Sequence, residues 1–249
     1  MIPKVINYCW FGGKPLDDMA IKCINSWKKH CPDYKVIQWD ESNYDINKND
    51  YVKEAYKSGK WAFVTDYVRL DVLYENGGIY FDTDVELIKN IDPLLKNVAF
   101  VGLESAGEVN TGLGIGCEAG TDIVKQLRDV YDECHFIVNG KQNTKTCVDY
   151  VSEYLKNKGL NDKDEEQVID HLTIYPVRFF CPIKAGHKKA VITTDTYSIH
   201  HFAASWYKDG KLKKKIKYIL IPLKKRLKIS INKLFGNGTY ERIKGKFGR

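Results

Sequence analysis

Apolar residues recur along the chain with the spacings of both strands and helices. Residues 2–11 form an apolar segment closed by Gly12-Gly13, which predicts a buried first strand followed by a turn. From about residue 17 to residue 30, apolar side chains recur every three to four positions behind an aspartate, which predicts a capped helix. The stretch 34–39 is typical of a second strand.

The middle of the chain predicts a helix that runs directly into an interrupted strand. The helix is expected over about residues 61–75, and Asn76-Gly77-Gly78 should end it because glycine accepts the left-handed conformation. The strand over 79–88 breaks at Asp82-Thr83-Asp84 and resumes. We expect further strands at 98–103, 112–117, 172–176 and 197–202, and helices near 121–134 and 144–157. This alternation predicts an α/β fold with a Rossmann-like, mainly parallel sheet flanked by helices.

Length and charge divide the chain into a body and a tail. The 249 residues, of which 43% are hydrophobic, fit one domain with an appendage. Residues 211–249 contain 14 Lys and Arg and one acid, whereas residues 1–210 carry a net charge of −6. We therefore expect a catalytic domain over 1–210 and a basic extension over 211–249.

The basic extension alternates lysines with Ile, Leu, Tyr and Phe. As an amphipathic helical segment, broken or kinked at Pro222, it would present one apolar and one cationic face. Such a segment fits adsorption to an anionic membrane surface, which we favour, and we expect no nucleic-acid partner. A solvated charged extension, a helix packed back on the domain and nucleic-acid binding remain the alternatives.

Other features bear on the location of the protein. The first residues lack the pattern of a signal peptide, and no run approaches the roughly 18–20 apolar residues that span a bilayer. The seven cysteines are scattered and form no CxxC pair, which favours reduced thiols over a zinc site or a disulfide framework. We expect a cytoplasmic protein associated peripherally with the inner face of the plasma membrane.

Asp82 and Asp84 are candidates for metal binding. Two carboxylates separated by one residue at the end of an apolar strand repel each other, and a divalent cation such as magnesium or manganese relieves that repulsion. The carboxyl ends of strands in an open sheet are also where ligands bind. A solvent-exposed turn is the alternative interpretation of this short motif.

Asp66 and Arg69 place charges on an otherwise apolar helix. They are three residues apart and therefore share a helical face. An intrahelical ion pair explains them, and so does a polar patch that meets sugar hydroxyls, with Arg69 orienting Asp66 or contacting phosphate. The two interpretations are compatible.

The segment 65–87, TDYVRLDVLYENGGIYFDTDVEL, resembles the signature of glycosyltransferase family 32. The likeness extends to IPKVINYCWFGG at 2–13, to WKKHCPDYKVIQWDE at 27–41 and to HHFAASW at 200–206. This family includes yeast initiating mannosyltransferases and bacterial capsule enzymes, and the clostridial glucosylating toxins carry a related block. The resemblance implies a GT-A fold, a nucleotide-diphosphate sugar donor (a UDP-sugar is favoured), Mn²⁺ or Mg²⁺, and transfer with retention of configuration. It also implies a glycan or lipid-linked glycan acceptor in surface polysaccharide synthesis.

The resemblance also implies roles in donor binding and catalysis. Asp66 and Arg69 would contact the donor sugar, Asp82 would hold ribose and metal-bound water, and Asp84 would ligate the metal. Further donor-binding positions would be a stacking Trp10 at the nucleotide base, Tyr80, Thr83, Asn110 at the sugar, and Ser205 and Trp206 at the β-phosphate. A buried core position for Trp10 and a routine loop position for Asn110 are the alternatives.

The same resemblance implies a histidine as a third metal ligand. His200 and His201 both qualify, and we prefer His200. Neighbouring residues of a strand point to opposite faces of its sheet, so only one of the two can reach the metal.

Two other functions compete with glycosyl transfer. A metal-dependent phosphohydrolase would use the same aspartates, but it would need a further nucleophile that the sequence does not reveal. A non-catalytic, membrane-docked scaffold would have no reason to retain two crowded carboxylates.

Overall fold

The computed structural model describes residues 1–183 and 189–203, which are organised around a seven-stranded sheet. In spatial order its strands are β2 (Lys35–Trp39), β1 (Val5–Cys9), β3 (Gly78–Tyr80), β6 (Glu108–Cys117), β5 (Ala99–Ser105), β10 (Leu172–Tyr175) and β9 (Gln167–Ile169). Two smaller pairings are formed by β4 (Val85–Leu87) with β11 (Ser198–His200) and by β7 (Ile137–Val138) with β8 (Lys141–Gln142). Helices lie between these strands along the chain, so the expected α/β class is confirmed.

The main sheet is mixed, so the expectation of a mainly parallel sheet is wrong. Strand β1 is parallel to β2 and β3, and β5 is parallel to β10, but β6 is antiparallel to both β3 and β5. The reason is the short turn between β5 and β6, where Gly107 has φ +70°. A connection of that length permits only an antiparallel return.

The helices are α1 (Asp18–His30), α2 (Asp50–Lys57), α3 (Trp61–Asn76), α4 (Asp122–Asp129) and α5 (Cys147–Asn157). Two 3₁₀ helices cover Asp92–Lys96 and Val177–Phe179. The predicted cap is confirmed, because the Asp17 side chain accepts a 2.8 Å hydrogen bond from the Ala20 N–H. The predicted end of α3 is confirmed as well, with Gly77 following at φ +68°.

Helix α4 is shorter than expected. After Asp129 the chain continues in tight turns, in which the Tyr131, Asp132 and Cys134 N–H groups donate to carbonyls three residues earlier. These turns carry the Tyr131 ring into an aromatic cluster with Tyr51 and Tyr150.

Apolar residues pack on both faces of the sheet. One core contains Val64, Leu70 and Leu73 of α3 together with Val101 and Ile115 of the sheet. The opposite core contains α1 residues and Phe81, and the Trp27 indole N–H there donates to the Val85 carbonyl. Helix α3 is therefore largely buried, and its Arg69 side chain reaches Thr111 of the sheet and Asp82. No helix in the described ranges combines the length and the apolar character needed to cross a membrane.

Candidate functional site

The acidic segment lies where the chain passes from one sheet to another. Strand β3 ends at Tyr80, and β4 begins at Val85 in the smaller sheet. The Asp82 N–H donates to the Gly112 carbonyl at 3.0 Å, and the Asp82 carbonyl accepts from the Val85 N–H at 3.0 Å. The predicted break in the strand is confirmed, and both sides of the break are fixed by hydrogen bonds.

His200 joins the two aspartates in a compact group. Strand β11 runs antiparallel to β4 and pairs His200 with Val85, next to Asp84. The His200 Nε2 lies 3.1 Å from the Asp84 Oδ1, and ligand atoms of Asp82, Asp84 and His200 all lie within 4.8 Å of one another. His200 is buried, and its Nδ1 has no hydrogen-bond partner among the described residues.

His201 lies outside this group and contacts a different carboxylate. Its Nε2 is 2.7 Å from the Glu86 Oε2, and Glu86 also pairs with Lys22. Its backbone N–H donates to the Asp84 carbonyl at 3.0 Å, so the peptide supports the acidic segment while the ring points away. The alternating directions of neighbouring strand residues explain why His200 alone joins the aspartates.

Asp84 and His200 stabilise each other's charged forms. Burial alone would raise the pKa of Asp84, but the His200 imidazole and the Ala203 backbone N–H hold it below its ordinary value. That N–H donates to the Asp84 Oδ2 at 2.8 Å. Burial alone would lower the pKa of His200, whereas the Asp84 carboxylate raises it above its ordinary value.

Arg69 connects helix α3 to Asp82. Its guanidinium Nη2 lies 3.1 Å from the Asp66 Oδ1 and 3.1 Å from the Asp82 Oδ1, and the Tyr80 hydroxyl donates to that same Asp82 oxygen at 3.0 Å. Its Nε–H donates to the Thr65 carbonyl, and its Nη1 donates to Thr111 Oγ1. The intrahelical ion pair and the wider polar patch both exist, so the two interpretations of these charges are compatible.

Burial acts in opposite directions on the pKa values of Asp66 and Arg69 in α3. Burial raises the pKa of Asp66 to about 6, although Arg69 opposes that rise. Burial alone would lower the pKa of Arg69, but the Asp82 and Asp66 carboxylates hold it above its ordinary value. Arg69 is thus a buried cation, 2% exposed, that neutralises two carboxylates at once.

Asn110 lies in strand β6 and not in a loop, which corrects the loop interpretation of the segment VNTGLGIG. It is 8% exposed, its Oδ1 accepts from the Gly112 N–H at 2.7 Å, and its Nδ2 donates to the Glu104 Oε2 at 2.7 Å. The Cys147 thiol lies 3.9 Å from the same Oδ1 and 3.6 Å from the Arg69 Nη1. Sequence reasoning missed Glu104, Thr111 and Cys147, because strand pairing and helix packing bring them here without any local motif.

Gly112 leaves room for the Asp82 side chain. A Cβ at this position would lie 2.0 Å from the Asp82 Oδ2 and 3.1 Å from the Asn110 Oδ1. Glycine recurs in β6 at every second position from 112 to 116, and glycine inside a strand is a sequence signal of such a close approach.

We expect Gly112→Ala to weaken Mn²⁺ binding at least about tenfold, because the methyl group must displace the Asp82 carboxylate. Calorimetric titration with MnCl₂ measures the affinity, and thermal unfolding shows whether the sheet is retained. Unchanged Mn²⁺ affinity in a folded variant would mean that the position of Asp82 is irrelevant to the ion.

Of the four remaining predicted donor-binding residues, the structure describes Trp10 and Thr83. Trp10 directly follows β1 and is partly exposed, and its Nε1 donates to the Lys14 carbonyl at 2.6 Å, so it is not a fully buried core residue. Thr83 is partly exposed between the two aspartates. Ser205 and Trp206, like the extension 211–249 and the domain boundary at 210, lie outside the described residues.

The donor set fits a divalent cation. Two carboxylates and one imidazole supply the oxygen and nitrogen ligands that magnesium and manganese accept. The His200 ring is held by the contact of its Nε2 with Asp84 and by packing, with its centroid 4.2 Å from that of the Phe202 ring. Asp82, Asp84 and His200 are the residues that would hold the ion.

Comparisons with known proteins agree with this geometry. Residues 17–101 match the family model described as the glycosyltransferase sugar-binding region containing the DXD motif. Over 120 residues the chain is 32% identical to inositol phosphoceramide mannosyltransferase 3 of Schizosaccharomyces pombe, covering 45% of this chain and 32% of that protein. Over 114 residues it is 30% identical to a mannosyl phosphorylinositol ceramide synthase of Saccharomyces cerevisiae, covering 41% and 27%. The chain thus spans about a third or less of these curated relatives.

A solved structure shares the fold. The PaToxG glycosyltransferase superposes with a TM-score of 0.50 at 19% identity, over 64% of this chain and 69% of that one. The mixed sheet and its flanking helices are those of the GT-A type, as the resemblance implied. The matched segment contains the Asp82-Thr83-Asp84 motif and the Asp66–Arg69 pair that the structure brings together. Over residues 17–101 the chain is therefore similar to the DXD-containing glycosyltransferases of the family 32 type.

Proposed function

We propose that the protein transfers a sugar from a nucleotide-diphosphate sugar, with a UDP-sugar favoured, to a glycan or lipid-linked acceptor, assisted by Mn²⁺ or Mg²⁺. The observation that carries this proposal is the grouping of Asp82, Asp84 and His200 beside the buried Asp66–Arg69 pair. A phosphohydrolase would not require a second buried polar patch next to its acidic centre.

We assign each part of the site to the binding of one part of the donor molecule. Asp82, Asp84 and His200 would hold the cation, which when bound supplies positive charge to offset the departing diphosphate. Asp66 and Asn110 offer a carboxylate and an amide to sugar hydroxyls, and Arg69 fixes the direction of Asp66 and Asp82. Trp10, partly exposed beyond β1, offers a ring face to a nucleotide base. We also propose that transfer retains the anomeric configuration.

The experiment is a titration with a panel of UDP- and GDP-sugars, with and without MnCl₂, read by thermal shift and by donor hydrolysis. The names of the fungal relatives justify GDP-mannose in the panel. We expect at least one donor to raise the melting temperature only when the metal is present. A protein that no donor stabilises would defeat the proposal, and release of phosphate from simple esters would favour the phosphohydrolase.

We further propose that the acceptor is presented at a membrane surface, for surface polysaccharide or glycolipid synthesis at the inner face of the plasma membrane. Supporting this, the named fungal relatives act on inositol phosphoceramide lipids, and residues 211–249 contain 14 basic residues. Each basic residue near an anionic surface contributes about 1 kcal/mol of attraction.

We expect removal of residues 211–249 to abolish sedimentation with phosphatidylserine-containing vesicles, because that segment holds the excess positive charge. Phosphatidylcholine vesicles serve as the neutral control. Undiminished sedimentation of the shortened protein would reject a role for the extension.

A further inference from the structure

Glu104 is a carboxylate at this site that the proposed function does not yet use. It lies near the end of β5 and is partly exposed. Its Oε2 accepts the 2.7 Å hydrogen bond from the Asn110 Nδ2, and within residues 1–183 and 189–203 it has no ion-pair partner. A carboxylate without a paired cation is stabilised by hydrogen bonds from water or from a ligand. The second carboxylate oxygen of Glu104 is therefore available to a polar group of a bound molecule.

The order of strands places Glu104 next to the sugar of the donor. Across the sheet the order is β1, β3, β6 and β5. Trp10 follows β1, Asp82 follows β3, Asn110 lies on β6 and Glu104 lies on β5. If base, diphosphate and sugar follow the first three strands, as the proposed function has it, the fourth strand borders the bound sugar, and the acceptor must bind beside that sugar.

We propose that Glu104 binds the acceptor, with its free carboxylate oxygen accepting a hydrogen bond from the attacking hydroxyl group. The acceptor is accordingly an alcohol, such as a sugar or inositol hydroxyl, oriented toward the anomeric carbon by a charged acceptor atom. This inference rests on the proposed function and adds to it the residue that selects the acceptor.

Glu104 also orients the Asn110 amide, so the experiment must separate this contact from binding of the acceptor. The Asn110 Oδ1 already accepts from Gly112, and one of its two amide hydrogens goes to Glu104, which leaves one N–H for the donor. Glu104→Gln retains an oxygen that accepts from Asn110 but replaces the charged oxygen facing the acceptor with an NH₂ group. Glu104→Ala loses both interactions.

The test compares wild type, Glu104→Gln and Glu104→Ala, with Glu108→Gln as the control because it removes a carboxylate from the same β5–β6 hairpin. Methyl galactoside, methyl glucoside, methyl mannoside and inositol serve as acceptors, and hydrolysis by water reports the donor site alone. We expect Glu104→Gln to lower transfer to these alcohols about 10- to 100-fold while donor affinity and hydrolysis stay within about twofold. Glu104→Ala should weaken donor binding as well, and Glu108→Gln should match wild type.

Three results would overturn the inference. Transfer at the wild-type rate by Glu104→Gln would remove the acceptor role, and an equal loss of donor binding in that variant would reduce Glu104 to a positioning residue for Asn110. A wild type that hydrolyses donor but transfers to none of the alcohols would contradict a bound hydroxyl. A wild type that binds no donor would instead reject the proposed function, and this inference with it.

Discussion

Replacing Asp84 with Asn is expected to lower metal-dependent turnover about 1000-fold and to abolish measurable Mn²⁺ binding. Asp84 supplies the carboxylate nearest to His200, with 3.1 Å between the Asp84 Oδ1 and the His200 Nε2. Losing a ligand charge removes several kcal/mol of stabilisation from a transition state in which a diphosphate departs. Donor hydrolysis against MnCl₂ concentration and calorimetric Mn²⁺ titration measure the two effects.

The matched control for this variant is Glu86→Gln. Glu86 is two residues away and loses the same charge, but its carboxylate binds Lys22 and His201 instead of the acidic centre. We expect it to retain turnover and Mn²⁺ affinity. Full activity of Asp84→Asn, or an equal loss in both variants, would show that the effect is not coordination by Asp84.

Replacing Arg69 with Met is expected to destabilise the fold by about 3–5 kcal/mol. The guanidinium is 2% exposed and lies 3.1 Å from carboxylate oxygens of both Asp66 and Asp82, so its removal leaves buried negative charge without a partner. Urea unfolding at pH 8 measures the loss. Donor affinity should fall in the same variant, because Asp66 and Asp82 lose the group that orients them.

The loss of unfolding free energy caused by Arg69→Met should become smaller as the pH falls. Burial already raises the pKa of Asp66 to about 6 with Arg69 present, and removing the cation raises it further. A carboxyl whose folded pKa lies above its unfolded value favours the folded state when protonated, so stability declines as the pH rises through that interval. A penalty of equal size at pH 5 and pH 8 would show that unpaired Asp66 charge is not its cause. Arg128→Met, which removes another arginine paired with a buried aspartate, Asp71, should leave donor affinity intact.

Much of the site could be predicted because its key residues are close in sequence. The pair Asp66–Arg69 shares one turn of a helix, and the pair Asp82–Asp84 interrupts one strand, so local periodicity places each pair. Strand alternation also required that only one of His200 and His201 reach the acids. The structure places His200 beside the aspartates through its pairing with Val85 across the smaller sheet, and its ligation of the metal stays a prediction.

The rest of the site depends on contacts between distant segments. Glu104 meets Asn110 because of the register of β5 on β6, and Cys147 meets Arg69 across 78 positions of sequence. Neither contact has a periodic signal. The mixed sheet escaped prediction for a related reason, because alternating elements are equally compatible with an antiparallel strand inserted between β3 and β5. Helix α2 was missed although Asn49 caps it, since eight residues are too few for a clear helical periodicity.

The most direct test of the account is a crystal structure of the protein with MnCl₂ and a sugar nucleotide that it binds, examined by anomalous scattering from manganese. We expect one manganese peak within coordination distance of Asp84 and His200, with the diphosphate of the donor on its open side. A manganese and diphosphate bound elsewhere, with the Asp82 and Asp84 side chains facing solvent, would contradict it.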